Sequence, residues 1–571
     1  TEAIMREIER VRQYGFTASE YARAKADYLR SLESAYNERD KMKNHQYVNE
    51  YVRHFLDNEP IPGIENEYAL MNQIVPNIPV EAINQLVKQL IGEKNITLGV
   101  FCPEKEGMKY PTEAELKGII DKVKSEKLEA YVDKVSDEPL MKEIPAGGKV
   151  VKTEDGAFGS KVLTLSNGVR VVLKKTDFKA DEVRMQAFSA GGNSMFNDED
   201  AIQFTLMNQV VSLGGLGNFS AVDLDKVLAG KKASASSFVN SITEGLSGSC
   251  SPKDMETMLQ LAYLRFTAPR MDNDAYTSFI SRNKAALANA AADPNTALSD
   301  TLNVALYNNH PRAVNVKAET LDKVDYNKVM ELYKDRFADA SDFTFIFVGN
   351  IDEAVAVPLI EKYLGSLPSL NRNEKFRNVS PEIRKGEYEN NFVREMETAK
   401  STVLMVASGK CEYTQKNVIL MSMLGQLLDI LYTQTVREEA GGTYGVSCGG
   451  SLSKYPVEKG VFQIFFDTDP ERRAQMVELI DKGINDFIAQ GPKAEDLSKV
   501  KEYMLKTYQQ NQKENSYWMG VLNTKLWEGV DMNTGYEDTV NGITIDDLKK
   551  FAADFFGQKN MIEVSMSSPA K

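Results

Sequence analysis

The chain is 571 residues long, 42% hydrophobic and 26% charged, with a formal net charge of -14. That length implies roughly three to five domains, and the composition excludes a mainly disordered chain. The acidic excess excludes the basic footprint that nucleic acid needs and serves solubility instead.

No apolar run approaches the ~18 residues of a membrane span and no secretory signal opens the chain, so no span is expected. The first residue is Thr1 rather than methionine, and residues are expected to precede it. Cys102, Cys250, Cys411 and Cys448 lie far apart without a C-x-x-C, which argues against a disulfide framework or a cysteine zinc knuckle.

Residues 1–102 predict a helix ending at Gly15, a long amphipathic helix, a shorter helix and a closing strand. His45 and His54 share one predicted helix nine residues apart. At ~100° per residue they point to opposite faces and cannot chelate one ion. Residues 103–158 are rich in Lys and Glu, with one helical stretch at 113–131 and a Pro-Ala-Gly-Gly break, and read as a linker.

From 159 to 375 the pattern gives strands at 162–175 and 182–192, then a helix reading AIQFTLMNQVV at 201–211. GGLGNF (Gly214 to Phe219) lacks the third glycine of a dinucleotide loop and reads as a turn. Helices follow at 254–267 and 272–291, His310 sits in a turn before Pro311, and FTFIFVG (Phe343 to Gly349) reads as a buried strand. From 376 to 571 the order is strand (401–408), long helix (417–440), two strands (443–449 and 461–466) and helix (470–490).

Internal similarity organises these pieces. Gly15 to Val52 match Gly491 to Glu528 at an offset of 476, sharing Gly15/Gly491, Ala18/Ala494, Lys25/Lys501, Leu29/Leu505 and Glu38/Glu514. Val75 to Val100 match Val540 to Ser565, including a shared G-x-K-N, and 254–350 supplies a third copy. The chain is therefore a tandem α+β repeat. Thr1 aligns with Val477, inside a helix, so the first copy is expected to lack ~80–100 residues of its own domain.

One segment carries more chemistry than any other. LYTQTVREEAGGTYGVSC (Leu431 to Cys448) runs a helix into a Gly-Gly stop and then a strand, setting Arg437 and Tyr444 seven residues apart at one corner. Gly441 and Gly442 permit the abrupt turn. Taken singly, an arginine in a last helical turn complements the helix dipole and a tyrosine opening a strand packs. The three histidines, His45, His54 and His310, read as surface or packing residues, and no Ser-His-Asp set is expected.

This corner resembles the substrate clamp of the pitrilysin/insulysin zinc peptidases, the inverzincins. YKDRFADASDFTFIFVGN followed by YLGSLP (Tyr333 to Pro368) is similar to that family's domain-closing segment. GLGNFS and EGLSGSCSPKDMETMLQLAYLRFTAPR (Glu244 to Arg270) resemble the third domain of its bacterial members. The resemblance implies four homologous two-layer domains, with mostly antiparallel sheets and helices on one face, closing around a peptide. This chain would hold half of the second domain (1–102), a linker (103–158), the third (159–375) and the fourth (376–571). Phe204 to Asn208 (FTLMN) would stand where an active domain has H-x-x-E-H, a motif absent from the chain. Arg437 and Tyr444 would reach the zinc site of the first domain, hold the scissile peptide and stabilise its oxyanion.

The resemblance thus implies zinc in the complete enzyme and no metal bound by this chain. It implies a peptide substrate and a zinc-bearing N-terminal half on the same or another chain, in the periplasm or cell envelope, with the cytoplasm open. Two other readings stand beside it: a non-catalytic subunit of a two-chain peptidase, and a structural or binding descendant of the family.

Overall fold

The computed structural model describes residues 1–92, 96–102, 107–134, 136 and 138–569. They fall into two compact units, Thr1–Ile144 with Phe219–Ala233 and Pro145–Asn218 with Ser234–Lys571.

The second unit holds two mixed sheets. The first contains β1 (Val150–Asp155), β2 (Lys161–Leu165), β3 (Arg170–Lys175), β4 (Val183–Ala190), β5 (Ala233–Val239), β6 (Thr243–Cys250) and β7 (Thr344–Gly349) in the order β1-β2-β3-β7-β4-β6-β5. The second contains β8 (Glu387–Val393), β9 (Ser401–Lys410), β10 (Val446–Ser453), β11 (Lys459–Thr468) and β12 (Met561–Ser567) in the order β8-β12-β9-β11-β10. Remove β1 and β2 and the two orders are identical. In each, the first strand runs parallel to the last, β3 with β7 and β8 with β12, and the last is antiparallel to the second. The tandem α+β repeat expected from the sequence is thus written into the strand order. β7 is buried at every residue, which explains its unbroken apolar run.

Each sheet has its own helices on one face. In the second repeat, Ile419, Leu420, Met423, Leu424 and Leu428 of Gln415–Tyr432 meet Phe462, Ile464 and Phe466 of β11, with Ile480, Val500 and Phe555 from three further helices. The other face is covered by the sister repeat. Met519 and Leu522, with Trp518, Leu526 and Trp527, pack on Val162, Val172, Phe188, Ile346 and Val348 of the first sheet. Leu298 and Ala305 of Pro294–Tyr307 pack on Ile562, Val564 and Met566 of the second. The two repeats exchange a helix, and Thr176 Oγ1 donates to Asn515 Oδ1 across the buried joint at 2.5 Å.

The first unit is helical: Glu2–Tyr14, Ala18–Asn37, Asn44–Asp57, Ile64–Ile74, Val80–Leu90 and Glu113–Ser125, with 3-10 turns between. Thr17 and Glu20 form a capping box at the second helix. Gly15 (φ 74°) lies against Asn84, as Gly491 (φ 76°) lies against Ile545 and Lys549, so one glycine serves one helix crossing in both copies. The strand expected to close this copy does not form at 96–102. A strand exists through its neighbours' hydrogen bonds, and no ladder partner meets these residues among those described. The remaining G-x-K-N positions, 93–95, lie outside the described residues.

The described residues between 107 and 155 make more contacts than a solvated linker would. The helix ends at Ser125 rather than 131, and Glu126 pairs with Arg6 at 2.7 Å. The almost fully buried Asp133 carboxylate takes Arg23, Lys226 and Ser19; the Arg23 guanidinium above all holds it well below the usual carboxylate range. Residues 150–155 belong to a sheet, as β1.

One helical segment, Gln415–Glu439, is long and apolar enough by length and composition to cross a membrane, although no span is expected from the sequence. Its apolar residues form the core of the second repeat, and half of the relevant window is buried there.

Candidate functional site

The corner at Arg437 and Tyr444 is built from the end of that helix. After Tyr432 the α-helix widens into a π-helical turn, Thr433–Glu439, which carries Arg437. β10 begins at Val446, three residues later than expected, so Tyr444 stands in the connecting loop rather than in a strand. Arg437 is exposed and Tyr444 is 98% exposed. Among the described residues, neither side chain has a hydrogen-bond or ion-pair partner.

The backbone beneath them is held firmly. Gly441 takes φ 57°, a left-handed conformation that favours glycine. Gly442 is needed for a different reason: a Cβ there would sit 2.0 Å from Met476 Sδ. Arg472 donates to the carbonyls of Ala440 and Gly441, both at 2.8 Å, closing a helix end that its own turns leave open. Thr468 Oγ1 donates to Gly442 O at 2.5 Å, and Gly442 N reaches Val436 O at 3.3 Å. Thr468, Arg472 and Met476 were not singled out in the sequence. They lie some 25–40 residues from the corner, and only the return of β11 brings them to it. The site is a corner tied down by these contacts, with a cation and a phenol on top that have no partner among the described residues.

GVSCG, Gly445 to Gly449, spells G-x-S-x-G. Ser447 there lies in β10 paired with Phe465, not on the strand-to-helix elbow that exposes a nucleophile.

The other helix of interest, Ala201–Val210, is filled by packing. Phe204, Leu206 and Met207 are buried, Phe204 stacks on Phe196, and the Arg312 guanidinium lies 5.2 Å from its ring. Asn208 is bound to the Val239 backbone through both ends of its amide. Three apolar side chains and an occupied amide do not fit a zinc ion, which takes imidazole, thiolate or carboxylate. The histidines stand apart: His45 and His54 are both exposed, nine residues apart on opposite faces of Asn44–Asp57, and His310 lies in a loop where its Nδ1 accepts from Arg312 N at 3.1 Å. Among the described residues no three His, Cys, Asp or Glu side chains gather as metal ligands.

Comparisons with known proteins agree with this architecture. Residues 323–504 match the family model described as the peptidase M16 inactive domain. A zinc protease PQQL-like protein of Arabidopsis thaliana is 28% identical over 531 residues, covering 90% of this chain and 53% of that protein. The probable zinc protease PqqL of Escherichia coli K12 is 23% identical, covering 89% of this chain and 54% of its own length. The chain spans about half the length of these relatives. In structure, the periplasmic protease PqqL of Escherichia coli superposes with a TM-score of 0.69 at 19% identity, over 100% of this chain and 63% of that one. The ferredoxin protease FusC, solved as a mutant in complex with Arabidopsis ferredoxin, gives 0.67 at 15% identity, with 100% and 63% covered. Residues 323–504 are thus similar to a peptidase M16 inactive domain, and the chain's resemblance to the pitrilysin-type peptidases holds.

Proposed function

We propose that this chain is the chamber-closing part of a zinc-dependent metallopeptidase that hydrolyses peptides or small proteins. In this reading residues 1–102 are the C-terminal half of a second domain, 159–375 a third without a metal site, and 376–571 a fourth that carries the clamp. One observation carries it: Arg437 and Tyr444 are polar, exposed and unpartnered on a corner that the fold pins from beneath. A side chain that stabilises the fold is buried or bonded, and these are neither.

In this reading zinc would be held by another repeat and would supply the activated water there. The part of this chain is electrostatic. The Tyr444 phenol donates to the oxygen of the scissile carbonyl as negative charge grows on it, and the Arg437 guanidinium holds the peptide beside it. Both contacts strengthen toward the transition state. An envelope location follows by analogy with the periplasmic PqqL.

The test is complementation. Mixed with a polypeptide bearing the H-x-x-E-H repeat, the chain should restore cleavage of a quenched peptide. Tyr444→Phe should then lower kcat about 10²-fold while changing KM less. An unchanged kcat removes Tyr444 from the mechanism, and no cleavage from two well-folded halves removes the chamber.

A further inference from the structure

Each of the three repeats has a helix of one length and one ending. Asn44–Asp57 and Pro294–Tyr307 are each 14 residues long, and Asn515–Asn523 with its π turn Thr524–Glu528 is the same length. All three stop at a left-handed residue: Asn58 (φ 54°), Asn308 (φ 50°) and Gly529 (φ 74°). Aligned on those caps, Tyr47 meets Trp518, Val48 meets Met519, Tyr51 meets Leu522, Phe55 meets Leu526 and Leu56 meets Trp527. Leu298, Ala305 and Leu306 take the Met519, Leu526 and Trp527 places in the remaining copy.

Two of these stripes are seated. Trp518, Met519, Leu522, Leu526 and Trp527 lie on the outer face of the first sheet, and Leu298, Ala305 and Leu306 on that of the second. The third is bare. Val48 is 53% exposed, Tyr51 55%, Phe55 84% and Leu56 68%, and no residue of Asn44–Asp57 is buried. Large apolar side chains left exposed together on one helix face forgo the stabilisation of burial, and such a patch marks an interaction surface.

We propose that Asn44–Asp57 is a docking helix whose occupant is the outer sheet face of a further copy of this repeat, carried by the zinc-bearing half. The chemistry it fits is a mixed sheet presenting alternate aliphatic and aromatic residues, as Val162, Val172, Phe188, Ile346 and Val348 do. A second copy of this chain does not offer that face, because both of its sheets are already covered by their exchanged helices. The inference builds on the reading above only in naming which polypeptide brings the sheet.

The experiment measures association of the full chain with the H-x-x-E-H-bearing half by sedimentation, before any assay of cleavage. Phe55→Asp/Leu56→Asp should weaken association at least about 100-fold, while the far-ultraviolet spectrum and melting curve of the chain stay unchanged because both side chains are exposed. Association that ignores these substitutions overturns the proposal, as does failure of the unsubstituted halves to associate. Self-association of the chain that the same pair abolishes makes a second copy the occupant and equally overturns it. Association without cleavage leaves the docking helix standing and sinks the proposed peptidase function. A graft within the chain is the second check. Trp518→Tyr, Met519→Val, Leu522→Tyr, Leu526→Phe and Trp527→Leu place the bare stripe on the first sheet. The grafted chain should stay folded, and its collapse counts against a sheet-seating stripe.

Discussion

The two repeats of the second unit turn the same corner in opposite ways. After its helix each has a glycine pair, Gly214–Gly215 in one and Gly441–Gly442 in the other, and each has an arginine on a glycine carbonyl. Arg270 donates to Gly214 O and Arg472 to Gly441 O, both at 2.8 Å. Beyond the glycines they part. Leu216 is fully buried and bridges to Pro269, and Gly217 N donates to Ala268 O. In the other corner Thr443 bonds only to Gly445 next door, and Tyr444 projects into solvent. The fold needs the glycines and the arginine. Arg437 and Tyr444 are exposed and have no partner among the described residues, and that contrast is what the substitutions below test.

The comparison breaks most severely at the glycines. A Cβ at Gly214 would lie 1.9 Å from Arg270 O, a backbone atom; at Gly442 it would lie 2.0 Å from Met476 Sδ, in a side chain that can swing. Overpacking costs about 1–3 kcal/mol and more where the neighbour cannot move. Gly214→Ala is expected to exceed Gly442→Ala, read by calorimetric melting. Equal losses would mean that Met476 is as immobile as backbone.

Arg472→Ala comes next. It strips two carbonyls of their donor at a helix end, and each net hydrogen bond contributes about 1 kcal/mol. Amides of 440–443 should exchange faster by hydrogen exchange, with β9 and β12 unaffected. Uniform loosening of the whole sheet would show that Arg472 supports the repeat rather than its corner.

A pH measurement sharpens the contrast further. The sealed repeat buries Glu244, which accepts from Gly192 N and faces an Arg336 already engaged by Glu374 and Asp335. Burial pushes its carboxyl up to about 8, against the pull of Arg336. Unfolded, it titrates in the ordinary carboxylate range. Its contribution to stability is therefore complete below that range and lost as pH rises through about 8. Glu244→Gln should flatten the fall in melting temperature between about pH 5 and about pH 8. An unaltered slope would assign the dependence elsewhere.

Much of this was legible beforehand because repetition supplies its own check. The offset of 476 predicted that Gly15 and Gly491 do one job, and both sit at the same crossing with the same φ. The offset was extended too far, however. Beyond Asn37 the left-handed caps at Asn58 and Gly529 show that it falls to 471, because the first copy has a longer connection around its 3-10 turn at Arg39–Lys41. Under the extended register Phe55 and Leu56 had no counterparts, and the stripe was invisible. Arg472 and Met476 escaped notice for a simpler reason: sequence spacing does not report which distant residue returns under a corner. The closing strand of the first copy is expected from its match to Val540–Ser565, yet pairing, not a match in sequence, makes a strand.

The smallest expected effect decides the most. Tyr444→Phe and Arg437→Ala should each change stability by less than about 0.5 kcal/mol, as surface substitutions away from packing and caps do. Among the described residues neither side chain bonds to anything, so no described contact is lost with it. A clear drop in melting temperature for either variant would place that residue in the same class as Leu216, a plug rather than a clamp. Stability unchanged while kcat of the complemented enzyme falls is the only combination that fits a group acting on substrate alone. Measured together on one preparation, the two numbers decide whether this corner serves the fold or the proposed peptide.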